Sequence, residues 1–118
     1  MTTGPIRRKM KREIQSILQK HPEVNEVYGF GSFFRNQPFN DIDLLFVLRC
    51  DESLLLVVCK EMVSLISDVS KELEVTLHVL MLTEREFREA PLRDMHELLP
   101  LSQMDGTSAP KGAVDNKA

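Results

Sequence analysis

Cysteine is scarce in this 118-residue chain. There are two, Cys50 and Cys59, and neither sits in a Cys-x-x-Cys pair. That weighs against a disulfide scaffold and against a thiolate metal site. Both are read as free thiols, Cys50 closing a strand and Cys59 on the apolar face of a helix, which suits a reducing cytoplasm. Charge of one sign is also lacking. The formal net charge of -3 points to neither a polycationic nucleic-acid binder nor a membrane-surface protein. No apolar run approaches the ~20 residues a spanning helix requires. The basic residues near the start are not followed by an apolar stretch, so no secretory signal is read. Internal repeats are absent, and the length allows one domain and little else.

What is present is an alternation of helical and extended patterns. Ile6, Met10, Ile14, Ile17 and Leu18 recur at helical spacing, and His21-Pro22 closes that helix. Val24 to Phe30 reads as a short strand ended by Gly29 and Gly31. Asp41 to Arg49 reads as a second strand, and its IDLLFVL core is too apolar to leave a face in water. Asp51 is the expected N-cap of a helix whose apolar positions are Leu55, Cys59, Met62, Val63, Ile66 and Val69. Glu74 to Leu82 forms a third strand, with Val75, Leu77, Val79 and Met81 on one face and Glu74, Thr76 and His78 on the other. Thr83 and Glu86 match a capping box, with Leu82 placed to staple on Phe87. A last helix is expected over Leu92 to Leu99, after Pro91 and before Pro100. The fold class is therefore α/β (α+β): a small mixed sheet of three or more strands packed with helices. The domain is expected to span 1–100, and 101–118 to be a disordered polar tail.

The stretch VYGFGSFFRNQPFNDIDLLFVL, Val27 to Leu48, carries the chemistry. Gly29 and Gly31 let backbone approach a ligand closely. Ser32 would open a short helix whose N–H groups and hydroxyl can cradle phosphate. Arg35, one turn on, offers a fork of donors to phosphate oxygens. Asp41 and Asp43 are two apart on a strand, so both carboxylates point the same way. Two like charges side by side are costly unless a cation sits between them. Magnesium binds through one or two carboxylates plus substrate phosphates, which suits this pair to a metal-triphosphate site. Either half of this pattern alone is common in ordinary loops; the two in order, between apolar strands, are not.

Gly31-Ser32 followed by Asp41-Ile-Asp43 resembles the signature of the DNA polymerase β-like nucleotidyltransferase superfamily. The chain's size makes it similar to the minimal nucleotidyltransferases within it. The resemblance implies Asp41 and Asp43 as ligands of Mg2+ (or Mn2+), and Gly31, Ser32 and Arg35 as holders of the triphosphate. It also implies transfer of a nucleoside monophosphate from an NTP, ATP favoured, to a hydroxyl of a protein or small molecule. The superfamily's third carboxylate, on the next core strand, has no counterpart here: His78 or Thr76 stands in its place, and Glu74 lies nearer the strand start. His78 has two readings, a substitute ligand or base, or a histidine packed on a neighbouring helix.

The missing acid motivates an alternative: a catalytically degenerate, antitoxin-like NTP-binding module acting through a helical HEPN-type partner. A homodimer that completes its site across an interface is a third arrangement. The basic run Arg7, Arg8, Lys9, Lys11 and Arg12 could contact nucleic acid, but a solvated helix face is the favoured reading.

Overall fold

The computed structural model describes residues 4–89 and 98–104. Helix α1 (Gly4–Lys20) is followed by β1 (Val24–Phe30), a 3-10 turn (Ser32–Arg35), β2 (Asp41–Leu48), α2 (Glu52–Leu73), β3 (Thr76–Thr83), α3 (Glu84–Glu89) and β4 (Leu99–Pro100). A second 3-10 turn (Leu101–Gln103) ends the described chain. The four strands form one mixed sheet in the order β3-β2-β1-β4. β1 runs antiparallel to β2 and β4, and β2 runs parallel to β3 through the α2 crossover. Among the described residues, no helix is long and apolar enough to cross a membrane.

β2 organises the core, as its composition requires. Ile42, Leu44, Phe46 and Leu48 point into the main core cluster, while Leu45 and Val47 are buried on the opposite face. A side chain buried so fully contributes roughly 1.5–3 kcal/mol through the area withdrawn from water. α1 supplies Met10, Ile14 and Ile17 to the core, and α2 supplies Val58, Met62, Ile66 and Val69. Val63 does not join them and stays exposed. An apolar residue on nearly every face of α2 blurs its period, and Val58 takes a buried place that the spacing had not assigned.

Several local expectations are met and several are moved. The Thr83 amide donates to Glu86 Oε1 at 2.9 Å and the Glu86 amide to Thr83 Oγ1 at 3.1 Å, so the capping box forms. Asp51 stands at the N-cap of α2, yet its side chain makes no capping bond; the Leu54 amide donates to its carbonyl instead. Glu74 is not in β3. It adopts a left-handed conformation (φ 57°) as the C-cap of α2, so the strand begins two residues later.

The boundary at residue 100 also moves. Leu99 and Pro100 form β4 against β1 rather than ending a helix, and Leu101 and Met104 are buried. The remainder of the expected last helix, 92–97, and the tail from 105 lie outside the described residues.

Candidate active site

The segment between β1 and β2 is short, polar at its ends and aromatic in the middle. Those aromatics give it a core of its own. Phe33 is buried and meets Phe34 edge-on at 4.9 Å and Phe39 edge-on at 4.7 Å. The Phe34 ring lies over Gly29, where a Cβ would overlap it. The turn closes through a left-handed Asn36, whose amide donates to the Phe33 carbonyl, and through the Gln37 amide donating to the Ser32 carbonyl at 3.0 Å.

Arg7 secures this turn from α1. Its Nη2 donates to the Phe33 carbonyl at 3.1 Å and to Asn36 Oδ1 at 3.3 Å. Its guanidinium carbon stands 5.1 Å from the Phe33 ring centroid and 5.3 Å from that of Phe34, within cation–π range. Only 7% of Arg7 is exposed, and burial lowers its pKa. The solvated-face reading therefore holds for Arg8 and Arg12, which are exposed, and fails for Arg7. Lys11 is also engaged, donating to the Ser102 carbonyl at 2.9 Å.

Gly31 links the turn to the acids. It has φ 84° and ψ -172°, a region essentially reserved for glycine. A Cβ there would collide with the Asp43 carboxylate. Asp41 and Asp43 share one side of β2, and the parallel register sets Thr76 beside Asp41 and His78 beside Asp43. His78 Nδ1 lies 3.9 Å from Asp41 Oδ2 and 3.9 Å from Asp43 Oδ1. These spans exceed a hydrogen bond and leave the contact electrostatic when the ring is protonated. The His78 side chain is 69% exposed, so it is not packed on a helix. Ser32 opens the turn and Arg35 is exposed at its end. Gly31, Asp41, Asp43 and His78 are thus brought together at one end of the sheet, with Ser32 next to Gly31, while Glu74 is not.

Asp43 is pushed upward in pKa, chiefly by burial and further by the Asp41 charge, with His78 pulling the other way. A raised carboxylate favours its protonated form in the fold. Its contribution to stability is thus present at low pH and is lost as pH rises through its raised value, above the ordinary 3.8. In metal-free solution Asp43→Asn should accordingly raise the melting temperature at pH 7 and leave it nearly unchanged at pH 3. Thermal melts at the two pH values check this; equal shifts at both would refute it.

The same observation tests the site against a cation. The donors are two half-exposed carboxylates whose mutual repulsion a divalent ion would relieve, with space for phosphate oxygens to complete the shell. Among the described residues, no three His, Cys, Asp or Glu groups form a ready-made metal cage. Two carboxylates would fill only part of a divalent ion's shell, so the remaining ligands would have to come from elsewhere.

Beside Asp43 and His78 opens a cleft of about 270 Å³ walled by Phe30, Val79 and Leu80. A larger hollow of about 680 Å³ lies between α1, β1 and Pro100. It holds one carboxylate, Glu26, which already accepts from the Tyr28 hydroxyl. Burial and that carboxylate push the Tyr28 phenol up to about 12, so it stays protonated at neutral pH. The smaller cleft is the one beside the acids.

The sequence profile described as Polymerase beta, Nucleotidyltransferase matches residues 12–99. The chain belongs to that nucleotidyltransferase family. Its mixed sheet packed with helices is the architecture of the family. A candidate nucleotidyltransferase from Sulfolobus solfataricus of known crystal structure is 23% identical, with a TM-score of 0.47 over 80% of this chain and 77% of that one. No curated protein matches the sequence.

The spacing of the nucleotidyltransferase motif did not reveal three features: Arg7, the aromatic cluster under the turn, and the apolar wall of the cleft. For Arg7 a signal existed. It lies three residues before Met10 and seven before Ile14, on the helix's buried face.

Proposed function

We propose that the chain is a minimal nucleotidyltransferase, moving a nucleoside monophosphate from an NTP, ATP favoured, onto a hydroxyl of a protein or small molecule. One observation carries this: the loop glycine of the Gly-Ser turn is held against the Asp43 carboxylate, which joins the phosphate-binding turn to the paired acids. In this reading Gly31, Ser32 and Arg35 bind the triphosphate through backbone N–H groups, a hydroxyl and a guanidinium. Asp41 and Asp43 hold Mg2+ or Mn2+, which when bound neutralises charge on the phosphates. The acceptor oxygen forms a bond to the α-phosphorus while the bond to pyrophosphate breaks. The acceptor's proton passes to His78 Nδ1 or to water, since the imidazole stands beside both acids.

A second reading is favoured by a specific observation: the β3 residues beside the two acids are Thr76 and an exposed His78, with no carboxylate among them. With one acid fewer, binding can persist where turnover does not. The chain would then be an NTP-binding, antitoxin-like module acting through a helical HEPN-type partner.

Calorimetric titration of ATP with Mg2+ and with Mn2+, into wild type and Asp43→Asn, tests the binding site common to both readings. Metal-dependent binding in wild type, lost in the variant, is the expected result. Absence of binding with either ion would sink both readings. Transfer of label from α-labelled ATP, abolished in Asp41→Asn, then separates an enzyme from a binding module.

A further inference from the structure

We infer that the chain forms a two-fold symmetric dimer through the free edge of β3, with the flank of α2 beside it. This rests on the fold alone and stands apart from the transferase reading. β3 is the outermost strand, and among the described residues no strand pairs with its outer side, though the Leu77 amide near its start is engaged by Ser70 Oγ. Edge strands of monomeric proteins are normally guarded by charge, proline, a bulge or brevity. β3 has none of these: TLHVLMLT carries no Lys, Arg, Asp, Glu or Pro, and its eight residues pair with β2 without a register break. The neighbouring chain leads away from this edge. Phe87 of α3 stacks on Tyr28 of β1, and β4 pairs at the opposite side of the sheet.

Between Leu56 and Ser70 the flank of α2 beside β3 is uncharged as well, and Glu52 lies on the same flank one turn beyond it. Ser70 marks it, since its hydroxyl donates to the Val75 carbonyl at 2.6 Å and accepts from the Leu77 amide at 3.0 Å. Val63 and Leu56 precede Ser70 by seven and fourteen residues, close to two and four helical turns, so they share its flank. They are 58% and 66% exposed. The helical period puts the charged residues of α2 from Lys60 onward on the outward face instead.

The occupant follows from where Val63 sits. At ~1.5 Å per residue, Val63 lies roughly 10 Å along α2 from Ser70. At ~3.3 Å per residue, that distance on β3 runs about three residues beyond Leu77, to the middle of the strand. A two-fold axis through the centre of β3 therefore sets the free backbone edge against its own antiparallel complement and Val63 against Val63. A second copy satisfies both matches with no charge to bury. The strip is about 26 Å long and, across a strand and one helix flank, roughly 20 Å deep. It covers on the order of 500 Å² per chain, in the range of weak specific interfaces. Each candidate cleft, lined by His78, Val79 and Leu80, then abuts its twin across the axis.

Sedimentation equilibrium of the full chain from about 1 to 200 µM tests the inference. The expected result is a monomer–dimer equilibrium with a micromolar constant, weakened at least tenfold by Val63→Glu, whose melting curve stays that of wild type. Hydrogen exchange of β3 amides should slow as protein concentration rises. A chain sedimenting as a 13.5 kDa monomer throughout that range, whatever other strand it captures, overturns the proposal. So does a dimer insensitive to both Val63→Glu and Leu56→Glu with no change at the β3 amides.

Discussion

Gly31→Ala is expected to lower nucleotidyl transfer at least 100-fold while the chain still folds. Two costs meet at this position. The backbone conformation, φ 84° and ψ -172°, is strained for any residue with a Cβ, by about 1–3 kcal/mol. The new methyl would also collide with the Asp43 carboxylate, so Asp43 must swing away or the turn must shift. A displacement of about 1 Å in a reacting group can cost on the order of 100-fold in rate. Measuring ATP affinity, turnover and melting temperature together separates the effects. A folded variant with near wild-type turnover would show that Asp43 is not held where the reaction needs it.

Arg7→Ala should be the most destabilising single change in the basic run. The Phe33 carbonyl keeps its bond from the Asn36 amide but loses that from Arg7. The Asn36 side chain and two aromatic faces lose a partner, and a large buried side chain leaves a gap. A buried hydrogen-bond partner lost costs about 1–3 kcal/mol, and the cation–π contacts contribute about 0.5–2 kcal/mol more. The sum is roughly 2–5 kcal/mol, or a fall in melting temperature of about 10–20 °C for a domain this small. Arg8→Ala and Arg12→Ala, at exposed positions, should stay within about 0.5 kcal/mol. Arg7→Lys should not restore stability, because one ammonium cannot reproduce a flat fork stacked between two rings. Arg7 Nε is buried and has no hydrogen-bond partner among the described residues, so a modest loss on its removal would mean that this burial cost offsets the contacts.

Much of this arrangement is legible in the sequence because it is local. β1 begins and ends where the apolar pattern and the glycines placed it, and β2 differs by one residue. Two carboxylates at alternate positions of a strand must share a side, whatever surrounds them. Counting along the third strand narrows the place beside the acids to His78 or Thr76, and only the register sets His78 beside Asp43 and Thr76 beside Asp41; the same count includes Glu74. That residue is lost to the strand because the C-cap of a helix uses it in a left-handed conformation, which favours glycine or asparagine and gives no warning at glutamate. Leu101 and Met104 read as polar tail because composition averages over a window, whereas burial is decided one side chain at a time. Arg7 was obscured by its neighbours: in a run of five cations, charge suggests solvent and only helical phase suggests the core.

Nearly all the chemistry of the candidate site is carried by one antiparallel hairpin, from β1 through the turn to β2. His78 alone arrives by way of the long α2 crossover. The two parts are distant in the chain, and the His78 side chain meets the acids through charge, lowering the pKa of the Asp43 beside it against the effect of burial. Changing residue 78 alters the charge that Asp43 faces and leaves the hairpin's aromatic base in place. Under the proposed function, a scaffold divided in this way would lose or exchange a reaction while keeping its grip on the nucleotide.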